Sequence, residues 1–256
     1  MENAVQSQKS KDKSFIKLVR ARRKKLANKP TTAITALDPS EIPHNFNLTH
    51  CLPTEFELSP SKSEPVTVPP HLNSILADYD TATGGSPRNE ALIRSRIDAI
   101  ILATLAKIKR CKGQYFGCTS LIHCLLPITQ VKLSGIVDYS LWNGIPMTNM
   151  AIIEAKRTPL LESSMLHCLG HMAMIHETRK QSNIRDTSVY GIVTDSYEWI
   201  FILIRPNGEY TDKTYQWLHS AQEIISILSR IFSHAAGFNS QNSQSESEDN
   251  NSLYTC

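Results

Sequence analysis

A chain of 256 residues with 41% hydrophobic and 20% charged content is long enough for one domain with tails. No apolar run approaches transmembrane length, and the opening "MENAVQSQKSKDKSF" lacks the apolar stretch that a secretory signal requires. The net charge of +3 hides an asymmetry: residues 1–30 hold ten Lys/Arg against Glu2 and Asp12, a net of +8, while the remainder holds 17 basic and 22 acidic side chains, a net of −5.

Residues 1–30 therefore read as a basic, disordered arm, in which "RARRKK" gathers Arg20, Arg22, Arg23, Lys24 and Lys25. Such a run suits sequence-independent contact with phosphate backbones and equally a nuclear import address; a solvated tail is the simpler alternative. Residues 31–72 carry Pro39, Pro43, Pro53, Pro60, Pro65, Pro69 and Pro70 with little periodicity, which predicts a linker or an extended arm wrapped on the core. The folded core is expected over 73–236. Residues 237–256 are Ser/Asn/Gln-rich and acidic, the composition of a disordered tail.

The core opens with a helix from Ser86, a good N-cap, with Pro87 at the first helical position. Ile93, Ile97, Ile100, Ile101, Leu105 and Ile108 form its apolar stripe. Strands follow over 118–128, 131–142 and 150–156, with "NGIP" as a turn before the third. A helix spans Leu160 to about Arg179. Residues 188–195 and 197–205 then pair around a tight link at Asp195-Ser196, "RPNGEY" turns the chain, and "WLHSAQEIISILSRIFSHA" closes the core as a helix. Helix, three strands, helix, two strands, helix predicts a mixed sheet with helices packed on it.

Two charges in this core need explaining. "MAIIEAK" is apolar enough for a buried strand, yet Glu154 and Lys156 project from the same side of it. The preceding strand carries Asp138 in "GIVDYSL". If the two strands form a hairpin, Asp138 lies beside Glu154. Two carboxylates that close repel each other, and a divalent cation between them removes the cost. Lys156 then stands where an amine can hold water or stabilise developing phosphate charge. Glu90, in the first turn of the first helix, either favours the helix dipole or reaches the same site. The simpler alternative pairs Asp138 with Lys156 or Arg157 and leaves Glu154–Lys156 as an edge ion pair.

Asp138, followed after fifteen residues by Glu154-Ala155-Lys156, resembles the PD-(D/E)XK nuclease superfamily. "MAIIEAK" and "YGIVTDSYEW" are similar to segments of restriction-endonuclease-like domains in fungal and microbial proteins, and the resemblance covers about residues 86–205 in the same order. It implies an α/β fold, a restriction-endonuclease-like mixed β-sheet flanked by helices. It also implies Mg²⁺, with Mn²⁺ as a substitute, held by Asp138, Glu154 and Glu90. Lys156 becomes the catalytic lysine and nucleic acid the substrate, DNA ahead of RNA. The resemblance permits a homodimer. Val137 replaces the proline of the motif's name. Relatives often carry a Gln facing the site on the helix after the lysine; the nearest residue here is His167, with His171 as the second choice.

Rival constellations are weaker. Cys111, Cys118, His123 and Cys124 form a conceivable zinc set, but the first gap is too long for a structural knuckle. His167 and His171 lack the glutamate that HExxH chemistry uses. No GxSxG, GxxxxGK[ST] or GxGxxG occurs. Trp142, Trp199, Trp217, Tyr190 and Tyr197 are expected to pack in or near the core. Six scattered cysteines and no signal sequence predict reduced thiols in the nucleus or cytoplasm.

Overall fold

The segment "AIIEA" is buried along its whole length, and so is "VYGIVT". Short β-branched runs of this kind suit strands covered on both faces. They are parallel neighbours, paired from Ala151↔Tyr190 to Ala155↔Thr194, and the chain crosses between them as helix Leu161–Gln181.

A computed structural model describes residues 31–52, 67–85, 89–109, 115–125, 131–142, 151–157 and 160–237. The basic run Arg20 to Lys25, the Ser86-Pro87 start, the "NGIP" turn and the acidic tail lie outside these residues. The strands are β1 (Thr31–Ala33), β2 (Thr49–His50), β3 (Tyr115–Leu125), β4 (Lys132–Trp142), β5 (Ala151–Ala155), β6 (Val189–Thr194), β7 (Glu198–Ile204) and β8 (Glu209–Gln216). The helices are α1 (Ile42–Asn45), α2 (Pro70–Thr83), α3 (Glu90–Lys109), α4 (Leu161–Gln181) and α5 (Trp217–Gly237, broken at Ser220). They form an α/β protein with one eight-stranded mixed sheet. Seven strands run in the order β1-β4-β5-β6-β7-β8-β2, and β3 pairs with β4.

Two hydrophobic cores sandwich this sheet. One contains Leu72, Ile93, Ile97, Ile153, Ile192, Phe201 and Leu228, under α2, α3 and α5. The other contains Ile34, Ile42, Leu133, Ile152, Leu169, Met172 and Ile202, under α4 and the segment before β2. That segment wraps: β1 joins β4 in parallel, β2 joins β8, and Ile34, Ile42, Phe46 and Leu48 are buried. These strand and apolar positions of residues 31–50 thus lie along the core rather than span a gap.

Several boundaries differ from those expected. The first core helix begins at Glu90, where the Leu92 N–H donates to Asn89 Oδ1 at 2.9 Å, so Asn89 is the cap. The first of the three strands starts at Tyr115 rather than at 118 and is described to Leu125; residues 126–128 of the expected strand lie outside the described residues. Helix α2 lies across the expected linker–core boundary; Pro70 opens it, and Gly84 closes it with φ of 71°. Strand β8 was not expected, because "EYTDKTYQ" mixes exposed polar residues with buried Tyr210, Thr211 and Tyr215. Its pairing with β7, from Glu198↔Gln216 to Ile204↔Tyr210, supplies what its composition does not.

Candidate active site

Strands β4 and β5 pair antiparallel through Tyr139↔Ile153, Ser140↔Ile152 and Leu141↔Ala151. Asp138 and Glu154 are the next residues along this ladder, so the hairpin brings them side by side. Val137 packs into one core and Tyr139 into the other, so the alternation of β4 switches at Asp138. The Asp138 side chain caps the hairpin: Oδ2 accepts a hydrogen bond from the Ala155 N–H at 2.9 Å. Its other oxygen, Oδ1, accepts from Arg94 Nη2 at 2.6 Å. The same nitrogen donates to Glu90 Oε1, also at 2.6 Å, one helical turn earlier on α3. Arg94 thus bridges a helix carboxylate and a strand carboxylate.

Lys156 Nζ lies 3.3 Å from Glu154 Oε2 and 3.7 Å from Asp138 Oδ2. Burial disfavours its ammonium, but Glu154, Asp138 and Glu90 outweigh that effect and raise its pKa. Arg94 is likewise partly desolvated and likewise pushed up, by its bonds to Asp138 and Glu90. Exposure falls steadily inward. The Glu90 side chain is 49% exposed, Arg94 32%, Lys156 30%, Asp138 17% and Glu154 5%. The cluster therefore opens to solvent at α3 and ends in a buried carboxylate.

At that inner end, His171 Nδ1 of α4 stands 3.0 Å from Glu154 Oε1. The distance is short, but the angles are not those of a hydrogen bond. Glu154 Oε1 and both ring nitrogens of His171 are buried without a hydrogen-bond partner. Leaving such a carboxylate oxygen unsatisfied costs about 1–3 kcal/mol or more. The imidazole fits here because residue 135 is glycine. A Cβ on Gly135 would meet His171 Cδ2 at 2.4 Å and Nε2 at 2.6 Å. Cys168, one turn before His171, is fully buried; desolvation, with Glu154 adding to it, pushes its thiol pKa well up.

The structure brings together Asp138, Glu154 and Lys156. Glu90 joins them through Arg94. The histidine that meets Glu154 is His171, whereas His167, the first choice on sequence, is half-buried one turn earlier on α4. Arg94, His171 and Gly135 complete the arrangement. Arg94 could have been read from its spacing of four after Glu90, since such pairs face each other on a helix. Nothing in the sequence marks Gly135 as the seat of an imidazole.

The other constellations resolve differently. Cys124 is buried in the core, and the side chains of Cys111, Cys118 and His123 lie outside the described residues. Trp199 is fully buried, and Trp217 packs against the same core. Arg96 is also buried: it donates to the Ser196 carbonyl at 2.6 Å and to Asp80 at 3.2 Å, with its guanidinium 4.1 Å from the Tyr197 ring centre. That network ties α3 to the β6–β7 turn and is structural.

Among the described residues, no group of three or more His, Cys, Asp or Glu stands ready to hold a metal ion. The oxygens of Asp138 and Glu90 turn instead toward Arg94, Ala155 and Lys156. Among the described residues there is also no helix long and apolar enough to cross a membrane. Neither a scan against known protein families nor a search of curated proteins finds a match for this chain.

Proposed function

We propose that this chain is a divalent-metal-dependent phosphodiesterase acting on nucleic acid, DNA ahead of RNA, built on the PD-(D/E)XK plan. The observation that carries the reading is the meeting of Asp138 and Glu154 at the end of the β4–β5 hairpin. Lys156 lies within 3.7 Å of both, and one buried Glu154 oxygen is unsatisfied. Hard carboxylate oxygens are the donors that Mg²⁺ and Mn²⁺ prefer. Asp138 and Glu154 would hold the ion, with Glu90 reaching it from α3. When bound, the ion would polarise a phosphoryl oxygen and acidify a bound water.

The chain's own residues do the rest. Lys156 presents an ammonium beside both carboxylates, where it donates to a phosphoryl oxygen as negative charge develops. His171, whose Nδ1 stands 3.0 Å from Glu154 Oε1 without hydrogen-bond angles, holds that inner oxygen by contact. The basic run of Arg20, Arg22, Arg23, Lys24 and Lys25 adds affinity for the phosphate backbone that falls steeply with salt. The same run suits nuclear import, so the proposed setting is nuclear or cytoplasmic.

A second reading is a nucleic-acid-binding or interaction module on the same fold that does not turn over. Arg94 favours it, because its guanidinium already balances Asp138 and Glu90. One assay separates the two. Purified full-length chain is incubated with plasmid, single-stranded DNA and RNA in Mg²⁺, Mn²⁺ or EDTA. The first reading expects metal-dependent cleavage that falls by about 100-fold or more in Glu154→Gln and Lys156→Ala, the usual cost of removing one transition-state contact. Binding that persists in EDTA without cleavage in either metal supports the second. Equal cleavage by wild type and both variants removes the first.

A further inference from the structure

A single nitrogen, Arg94 Nη2, lies 2.6 Å from Glu90 Oε1 and 2.6 Å from Asp138 Oδ1. A guanidinium held between two carboxylate oxygens on separate elements offsets the charge of both. The surrounding charges agree. Glu90, Asp138 and Glu154 supply three negative charges, Arg94 and Lys156 return two positive ones, and the unsatisfied oxygen is on Glu154, the carboxylate that Arg94 does not reach.

We propose that Arg94 is a built-in, displaceable counter-cation, which occupies the cation position between Glu90 and Asp138 and must leave before a divalent ion can bind there. The inference rests on the metal-site reading above and adds a regulator to it. The geometry permits departure. Arg94 is in the second turn of α3, its side chain is about one-third exposed, and a long flexible stem lets the guanidinium turn to solvent. Glu90 is more exposed still and can follow. Asp138 is also held by the Ala155 N–H at 2.9 Å, a bond that does not depend on Arg94. A freed guanidinium beside the site is also well placed to pair with a phosphate, which makes metal loading and polyanion binding mutually supportive.

The test is the affinity for metal alone, with no substrate and no turnover. Mn²⁺ is titrated by electron paramagnetic resonance and Mg²⁺ by calorimetry into full-length wild type and Arg94→Gln. Removing a cation in contact with a carboxylate typically changes that group's affinity for a competing positive charge by about tenfold or more. Tighter Mn²⁺ binding by at least about tenfold in Arg94→Gln is the expected result; unchanged or weaker binding overturns the proposal. A second measurement serves if the variant does not fold. In wild type labelled at arginine, the Arg94 Nε–Hε resonance, assigned from its loss in Arg94→Lys, should shift and sharpen toward free arginine as Mg²⁺ is added. A resonance that stays in place at saturating Mg²⁺ overturns it equally. If wild type and Arg94→Gln both bind no divalent ion, the metal-site reading fails and this inference with it. If wild type binds but Arg94→Gln binds no tighter, this inference alone fails.

Discussion

Gly135→Ala is the smallest perturbation that reaches the candidate site from a distance. The added methyl would stand 2.4 Å from His171 Cδ2, 2.6 Å from Nε2 and 3.0 Å from Ile34 Cγ2. Ordinary carbon contacts begin near 3.5 Å, so the ring must retreat by about 1 Å. It has little room to do so: the His171 side chain is only 5% exposed and faces Glu154 at 3.0 Å. Overpacking of this kind costs about 1–3 kcal/mol. For a fold of this size that lowers Tm by about 3–10 °C. Urea denaturation of wild type, Gly135→Ala, His171→Ala and the double variant measures both the cost and its cause. His171→Ala removes the ring that the methyl strikes, so the two changes should be strongly non-additive, with a coupling of about 1 kcal/mol or more. A Gly135→Ala protein within about 0.5 kcal/mol of wild type, or additive effects in the double variant, would refute the close approach of the ring to β4.

Two other outcomes follow from the buried polar groups. Arg96→Ala should cost about 3 kcal/mol or more in urea denaturation, because the guanidinium is 1% exposed and bonded to Ser196 and Asp80; a loss under about 1 kcal/mol would sink that assignment. His176 should make stability fall in acid: burial lowers its pKa below the ordinary value of about 6.5, with Lys180 and Arg179 lowering it further against the Thr187 bond and Glu177. Its Nδ1–H donates to the Thr187 carbonyl at 2.7 Å and its Nε2 is buried without a partner, so the proton gained on charging has nowhere to bond. A base with a depressed folded pKa contributes stability that is intact above about pH 6.5 and lost as pH falls through the folded value. The loss of stability between pH 7.5 and 5 should therefore be smaller in His176→Gln than in wild type, and an equal loss would refute it.

What the sequence disclosed was what depends on local pattern. Apolar β-branched runs marked β5, β6 and β7, and β4 and β5 pair antiparallel as their polarity suggested. Asp138, Glu154 and Lys156 lie together because β4 and β5 pair antiparallel, a register that the spacing allowed but did not dictate. Elements whose stability comes from partners were harder to read. Strand β8 has too polar a composition to stand alone and exists by pairing with β7. The segment over 31–50 reads as either a linker or a wrapped arm because its prolines break periodicity, and only the burial of Ile34, Ile42, Phe46 and Leu48 against α4 and the sheet distinguishes the two. His171 displaced His167 at the site for a similar reason. The helix phase that carries His171 onto Glu154 is set by packing against Gly135, which is a long-range event.

Glu154 and Arg96 show how buried charge separates scaffold from site. Arg96 is bonded at Nε and Nη1 and lies over the rings of Tyr197 and Trp217, so its burial is compensated where it stands. Glu154 is compensated on one side only. Lys156 serves Oε2, whereas Oε1 meets an imidazole at an angle that makes no hydrogen bond. A strand buried at all five positions has no packing need for a carboxylate, and an apolar residue there would remove the penalty. A purely structural ion pair would satisfy both oxygens. An incompletely hydrogen-bonded carboxylate beside a second one and an ammonium, in a cluster that opens toward solvent, is the arrangement on which the proposed metal site rests.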